Sequence, residues 1–276
     1  MSILVKEKND TNCRAKAVFG TAEWAAYTEN FIDGCKHNCK YCYSKEMAIR
    51  FQRKTADSWS EEIVRRRQVN KKFKKMTGTI MFPSSHDIHP ENLTSSMIFL
   101  ENMLYAGNRV LIVTKPHLRC IKAISDKLSF YKNKILFRFT IGSANNEVLS
   151  FWEPGAPLYQ ERLASLQYAY NNGFKTSLSC EPMLDDNINQ VIIDTSNYIT
   201  DHIWIGKVNF LLRRIKMNGC DDTETIRRAT ELLNIQADNN IVDLYNNLKD
   251  NPIIKWKESI KNVVGIEVPT EKGLDI

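Results

Sequence analysis

Residues 34–44 read GCKHNCKYCYS and set Cys35, Cys39 and Cys42 in the spacing Cys-x3-Cys-x2-Cys. Three thiols so close together are not ordinary core packing, and the interleaved Lys36, His37, Asn38 and Lys40 favour a loop over a buried strand. The remaining cysteines, Cys13, Cys120, Cys180 and Cys220, stand singly. An odd total of seven, behind a first dozen residues (MSILVKEKNDTN) too polar for a signal peptide, speaks against a disulfide framework. Zinc is the rival occupant, because it takes four ligands and His37 lies inside the loop. Structural zinc sites, however, usually draw on two separated ligand pairs. The chain has no second Cys-x2-Cys and no His-x3-5-His, and His86 and His89 are too close together for that spacing. Three cysteines on a four-iron cluster leave one iron open, and an iron without a protein ligand can take a substrate.

Outward from this loop the pattern alternates. A short strand is expected at Asn30–Asp33 and a helix over 43–55. Ser58-Trp59-Ser60-Glu61 fits a capping box, which predicts a second helix carrying Val69, Phe73 and Met76 on its apolar face. Thr77–Phe82 reads as a strand closed by the polar turn PSSHD, 94–106 as a helix ending at Gly107-Asn108, Arg109–Thr114 as a strand and Leu118–Leu128 as a helix. Ile135–Ile141 is a strand. Pro157 and Gly173 bracket a helix with Leu163, Leu166 and Tyr170 on its stripe. Lys175–Cys180, a helix over 187–199, His202–Gly206 and a broken helical stretch Asp222–Leu248 follow. Six strands alternating with helices imply a parallel sheet wrapped by helices. In ILFRFTI the residues Ile135, Phe137, Phe139 and Ile141 suit helix packing, which leaves Arg138 and Thr140 facing the lumen as candidate ligand contacts. Sites gather at the C-terminal ends of parallel strands, where Cys35, Ser84, Lys115, Thr140 and Glu181 all fall.

Composition narrows the class. The 276 residues, 43% of them hydrophobic, are enough to bury roughly three quarters of the unfolded surface without a staple. No run approaches the ~18 apolar residues of a membrane span, and a cytoplasmic location is expected. The division expected is an N-terminal extension over 1–27, a core over 28–210 and a C-terminal helical appendage over 211–276. The net charge of +6 is unevenly spread: residues 45–75 hold eleven Lys or Arg against four Asp or Glu. The run RRRQVNKKFKK, residues 65–75, could meet phosphates, against the plainer reading of a solvated face.

The chain resembles radical S-adenosylmethionine (SAM) enzymes of the spore photoproduct lyase-like group, a set often labelled DNA repair photolyase. The match runs over about residues 20–186 and rests on GCKHNCKYCYS, on VTKPHL and on FRFTIGSANNEVLSFWEPGAPLYQERLASLQYAYNNGF. The resemblance implies an α/β fold, the partial (β/α)6 barrel of the radical SAM type. It implies a [4Fe–4S] cluster on Cys35, Cys39 and Cys42, and SAM as the second cofactor. Lys115 would hold the SAM carboxylate, Thr140 would touch SAM, and Tyr41 would lie against adenine. Ser84, Ser85 and Glu181 are further candidate contacts, and Glu153 with Arg162 is read as a structural ion pair near the site. The group's chemistry implies reductive cleavage of SAM, hydrogen abstraction from substrate and an external one-electron reductant of flavodoxin or ferredoxin type. One departure stands out. Spore photoproduct lyase carries a hydrogen-donating cysteine after its second strand, where this chain reads MFPSSHD (81–87) with no thiol. Spore photoproduct repair is therefore not expected. Cys180 or Cys220 could donate hydrogen instead, though each reads more simply as a buried structural thiol. Three functions follow: a radical SAM enzyme acting on a nucleic acid or nucleotide through the 65–75 segment, one acting on a peptide or small metabolite, and a non-catalytic zinc-binding nucleic-acid module.

Overall fold

The computed structural model describes residues 17–274, so Cys13 and most of the expected N-terminal extension lie outside the described residues. The chain runs β1 (Tyr27–Thr28), β2 (Ile32–Asp33), α1 (Tyr43–Arg50), β3 (Ile63–Val64), α2 (Arg66–Val69) and β4 (Thr79–Phe82). Then come α3 (Leu93–Tyr105), β5 (Arg109–Thr114), α4 (Leu118–Lys127), β6 (Ile135–Thr140), α5 (Asn146–Trp152), α6 (Tyr159–Asn171), β7 (Lys175–Cys180) and α7 (Ile188–Thr195). The last elements are β8 (Ile203–Ile205), α8 (Leu211–Met217), α9 (Thr223–Ile235), α10 (Asp238–Leu248), β9 (Ile254–Trp256) and α11 (Glu258–Val264).

Seven strands form one open sheet in the order β1-β4-β5-β6-β7-β8-β9, and every neighbouring pair is parallel. This is an α/β partial barrel, with the strands running in chain order and helices on the outside. The alternation along β6 explains why. Ile135, Phe137 and Phe139 are buried in the main core with Leu100, Ile121 and Leu166 of the surrounding helices. Leu136 packs instead in a separate small cluster with Trp24, Met81, Leu111 and Trp204, which fills the lumen. Trp24 and Trp204 meet edge to face at 5.9 Å between ring centroids.

Three expectations are corrected. The strand expected at Asn30–Asp33 does not lead the sheet. Tyr27–Thr28 does, and Glu29 N still donates to Met81 O at 3.0 Å. The chain then leaves the sheet because the Asn30 carboxamide turns inward, its Oδ1 accepting from Ser84 N and Ser85 N at 2.8 and 2.9 Å. Ile32–Asp33 pairs aside with β3, antiparallel. The predicted second helix shrinks to Arg66–Val69, preceded by a single 3-10 turn at Asp57–Ser60. Beyond it the backbone is taken by Asn108, which accepts from Met76 N at 2.7 Å and donates to Lys74 O at 3.0 Å. A helix there would also stack Arg67, Lys71 and Lys75 at repulsive i, i+4 spacing. Finally, the sheet has seven strands where six were expected, because Ile254–Trp256 of the C-terminal stretch adds the last one beside β8.

Candidate active site

The cysteine loop is fixed by backbone bonds. Gly34 has φ +107, and a Cβ there would stand 2.7 Å from Trp59 O, so this position needs glycine. Cys35 N donates to the same carbonyl at 3.0 Å. Cys42 caps α1, its Sγ accepting from Lys45 N at 3.4 Å. The turn that carries Glu153 holds the loop from the other side: Lys40 N donates to Trp152 O at 2.9 Å and Gly155 N to His37 O at 3.1 Å. Asn218, buried at the end of α8, donates to Lys40 O at 2.9 Å and Cys42 O at 3.0 Å. Burial, with Asp87 and the neighbouring thiols adding to it, pushes Cys35 well above an ordinary thiol. Burial pushes Cys39 up to about 12 against the opposing pull of Lys115, and raises Cys42 as well. Such thiols stay protonated until a metal takes the proton's place.

The three cysteines open on a cavity of about 740 Å³ at the C-terminal ends of the strands. Its wall brings together most of the residues singled out in the sequence: Tyr41, Ser84, Ser85, Lys115, Thr140 and Glu181. Arg138 is placed elsewhere. Its side chain is fully buried in the lumen, with Nη2 3.0 Å from Asp201, Nε donating to Ser177 Oγ at 2.9 Å and the guanidinium 4.8 Å from the Trp24 ring centroid. Cys180 is fully buried in the helix-facing core, and neither it nor Cys220 lines the cavity.

Two buried carboxylates organise the wall. Glu153 pairs with Arg162 at 2.5 Å, accepts from the Tyr41 hydroxyl and stands 3.9 Å from Lys115 Nζ. Burial alone would raise the Glu153 pKa, but Arg162 and Lys115 bring it below the usual value. Asp87 accepts from Lys115 N at 3.1 Å and from the Thr114 hydroxyl, and meets His37 Nδ1 at 3.1 Å. Burial opposes its charge as well, and His37 and Lys115 outweigh that and hold it ionised. Lys115 loses solvation by burial, yet Cys39, Glu153 and Asp87 hold it firmly protonated. A permanent cation thus stands beside the cysteines.

Several members of this arrangement were not legible in the sequence. Asp87, His37 and Asn218 serve through contacts 28 to 178 residues away in the chain. His86 lines the cavity with both ring nitrogens unpartnered, and burial pushes its pKa down to about 4, so it is neutral at pH 7. The signal available was PSSHD at a strand end, which suggests a site but not which polar residue faces it. On the far wall, Glu181 lies 3.5 Å from Lys257, which also pairs with the buried Glu23 at 2.6 Å.

No three His, Cys, Asp or Glu side chains among the described residues converge closely enough to hold a single metal ion. Three thiols on one loop at Cys-x3-Cys-x2-Cys spacing are the kind of ligand that iron–sulfur clusters take. The cavity also has the size of a small-molecule site. The donor set and the space therefore fit a cluster with an organic cofactor beside it.

Fold and site together define a partial-barrel protein with a three-cysteine loop above a cofactor-sized cavity. The chain belongs to the radical SAM superfamily: that family's model matches residues 30–192. Membership implies SAM and an iron–sulfur cluster, and an enzyme of the radical SAM type. The chain is 29% identical over 170 residues to an uncharacterized protein, ORF301, of Acidianus two-tailed virus, covering 57% of this chain and 56% of that one. Among solved structures it is similar to spore photoproduct lyase complexed with dinucleoside spore photoproduct, with TM-score 0.54, 17% identity and coverage of 77% of this chain and 66% of that one. It is also similar to Streptococcus suis SuiB bound to S-adenosylmethionine, with TM-score 0.52, 12% identity and coverage of 90% and 54%. At such identities the likeness is one of fold. The chain spans a little over half of the viral relative and just under two thirds of the lyase. No helix among the described residues is long and apolar enough to cross a membrane.

Proposed function

We propose that this chain holds a [4Fe–4S] cluster on Cys35, Cys39 and Cys42, cleaves SAM reductively and abstracts hydrogen from a nucleic acid or nucleotide. The observation that carries the first part is the cavity itself, which the three thiols line together with Lys115 and Thr140. When bound, the cluster and SAM supply a 5′-deoxyadenosyl radical on one-electron reduction by an external carrier of flavodoxin or ferredoxin type. The chain's own residues bind and orient. The Lys115 ammonium offers a charge-assisted hydrogen bond to the SAM carboxylate, and Asp87 and Glu153 keep it charged and in place. Tyr41 is anchored through its hydroxyl to Glu153, which leaves its ring for stacking on adenine. Thr140, Ser84, Ser85 and Glu181 offer hydrogen-bonding groups from three other strand ends. Among the described residues no cysteine beyond these three lines the cavity, which speaks against a cavity thiol as hydrogen donor.

The substrate class rests on charge. Arg65, Arg66, Arg67, Lys72, Lys74 and Lys75 are exposed along a segment with no acid in it, which suits a polyanion. The similar lyase fold, complexed with a dinucleoside photoproduct, supports the same class. The cluster assignment is tested by anaerobic reconstitution with iron and sulfide. The parent should take up about four iron and four sulfide per chain, and the triple Cys35→Ala, Cys39→Ala, Cys42→Ala variant neither. Stoichiometric zinc without sulfide would replace this reading with the zinc-binding module.

A further inference from the structure

The indole of Trp59 stands against the cysteine loop with nothing to bond to. It is 2% exposed and packs in one small cluster with Cys35, Ala48 and Cys42. It lines the same cavity as the three thiols. Its Nε1 has no hydrogen-bond partner. An indole nitrogen can only donate, and Trp24 and Trp204 also leave theirs unpartnered, but of the three only the Trp59 ring packs against the cysteine loop, where a bound group would bring acceptors.

The position of this ring is not accidental. Trp59 sits in the 3-10 turn Asp57–Ser60, which a reciprocal pair closes: Thr55 N donates to Ser58 Oγ at 3.0 Å and Ser58 N to Thr55 Oγ1 at 3.1 Å. Lys54 Nζ ties the flanks, donating to Ser58 O at 3.2 Å and Glu61 O at 2.7 Å. The Trp59 carbonyl receives the Cys35 amide, and the glycine at 34 lets the two backbones approach. Ring and loop are thus one rigid unit, joined by main-chain as well as side-chain contact.

Resting on the cluster assignment above, we propose that Trp59 donates its indole N–H to a sulfur of the iron–sulfur cluster and raises the cluster's reduction potential. Cluster sulfides and thiolates are the acceptors that the protein itself withholds from Nε1. Reduction adds negative charge to the cluster, and an N–H dipole pointed at a sulfur favours the reduced form. Trp59 is a positioning and tuning residue that touches neither SAM nor substrate in this scheme.

The test uses the full chain reconstituted anaerobically. Potentiometric titration followed by electron paramagnetic resonance compares the parent with Trp59→Phe, which keeps the ring and deletes the N–H. Trp204→Phe serves as control, because that indole nitrogen is also buried and unpartnered but packs in the lumen cluster with Trp24. The potential should move to more negative values in Trp59→Phe at unchanged iron and sulfide content, and stay in place in Trp204→Phe. A second readout is pulsed resonance on the reduced chain labelled with ¹⁵N-indole tryptophan: a nitrogen coupling to the cluster should appear in the parent and vanish in Trp59→Phe, which separates Trp59 from Trp24, a second cavity-lining residue with an unpartnered indole nitrogen. An unmoved potential in Trp59→Phe, or an absent ¹⁵N coupling in the parent, overturns the role of Trp59 while leaving the cluster standing. A parent that takes up no iron and sulfide overturns the cluster assignment, and the role of Trp59 with it.

Discussion

Lys115 is the residue on which the cofactor account turns. Its strand-end placement was legible because β5, RVLIVT, carries the apolar run Val110–Val113 and closes one residue before the lysine. Its partners were not, since Asp87 and Glu153 come from the turns after β4 and α5 and only the fold brings them near. Lys115→Ala should weaken SAM binding by ~1.5–3 kcal/mol, the worth of a hydrogen bond to a charged group, with the cluster content unchanged. Equilibrium dialysis against labelled SAM reads this directly, and an unchanged affinity would remove Lys115 from the cofactor site. Arg138 shows the limit of residue-level reading. The alternation correctly turned it into the lumen, but the alternation cannot tell the cavity end of the lumen from its floor, where Asp201 and two tryptophans hold it.

At the scale of elements, β5 and β6 were legible as short runs rich in β-branched and aromatic residues. The second helix was misread because a capping box and three spaced hydrophobes say nothing of a competitor such as the Asn108 carboxamide 32 residues on. Likewise β1, two exposed residues long, has no pattern to recognise. The turn after α5 carries an element-scale consequence. A Cβ at Gly155 would stand 2.2 Å from Lys36 O and 2.9 Å from His37 Cα, both backbone atoms of the cysteine loop. Gly155→Ala should therefore displace that loop. We expect at least a severalfold loss of iron and sulfide after reconstitution, with far-ultraviolet circular dichroism close to the parent. Full cluster content in this variant would show that the turn does not set the loop.

Over the whole molecule, the open barrel is tied together by residues from its two ends. Lys257, after the last strand, donates to Gly20 O at 2.8 Å and pairs with Glu23, while Glu258 N donates to Glu23 at 3.2 Å. Burial and the neighbouring Glu258 raise Glu23 to about 8 in spite of Lys257. The folded chain thus keeps a proton that the unfolded chain releases near its usual 4.5. Glu23 should contribute stability that declines as pH rises from about 4.5 to about 8. Urea unfolding across that window should show a flatter profile in Glu23→Gln than in the parent, and identical profiles would mean that Glu23 does not titrate there. The basic segment is tested at the same scale. If about four of its charges meet phosphates, log K should fall against log salt with a slope near −3.6 on duplex and −2.8 on single strands. Replacing Lys71, Lys72, Lys74 and Lys75 by Gln should flatten it, and a parent that binds no nucleic acid at low salt would refute this substrate class. The central claim has a more direct test: anaerobic incubation of the reconstituted chain with SAM and dithionite, followed by chromatography for 5′-deoxyadenosine. The account predicts 5′-deoxyadenosine and methionine in equal amounts from the parent and none from Cys39→Ala. A parent carrying a complete cluster that forms no 5′-deoxyadenosine would contradict it.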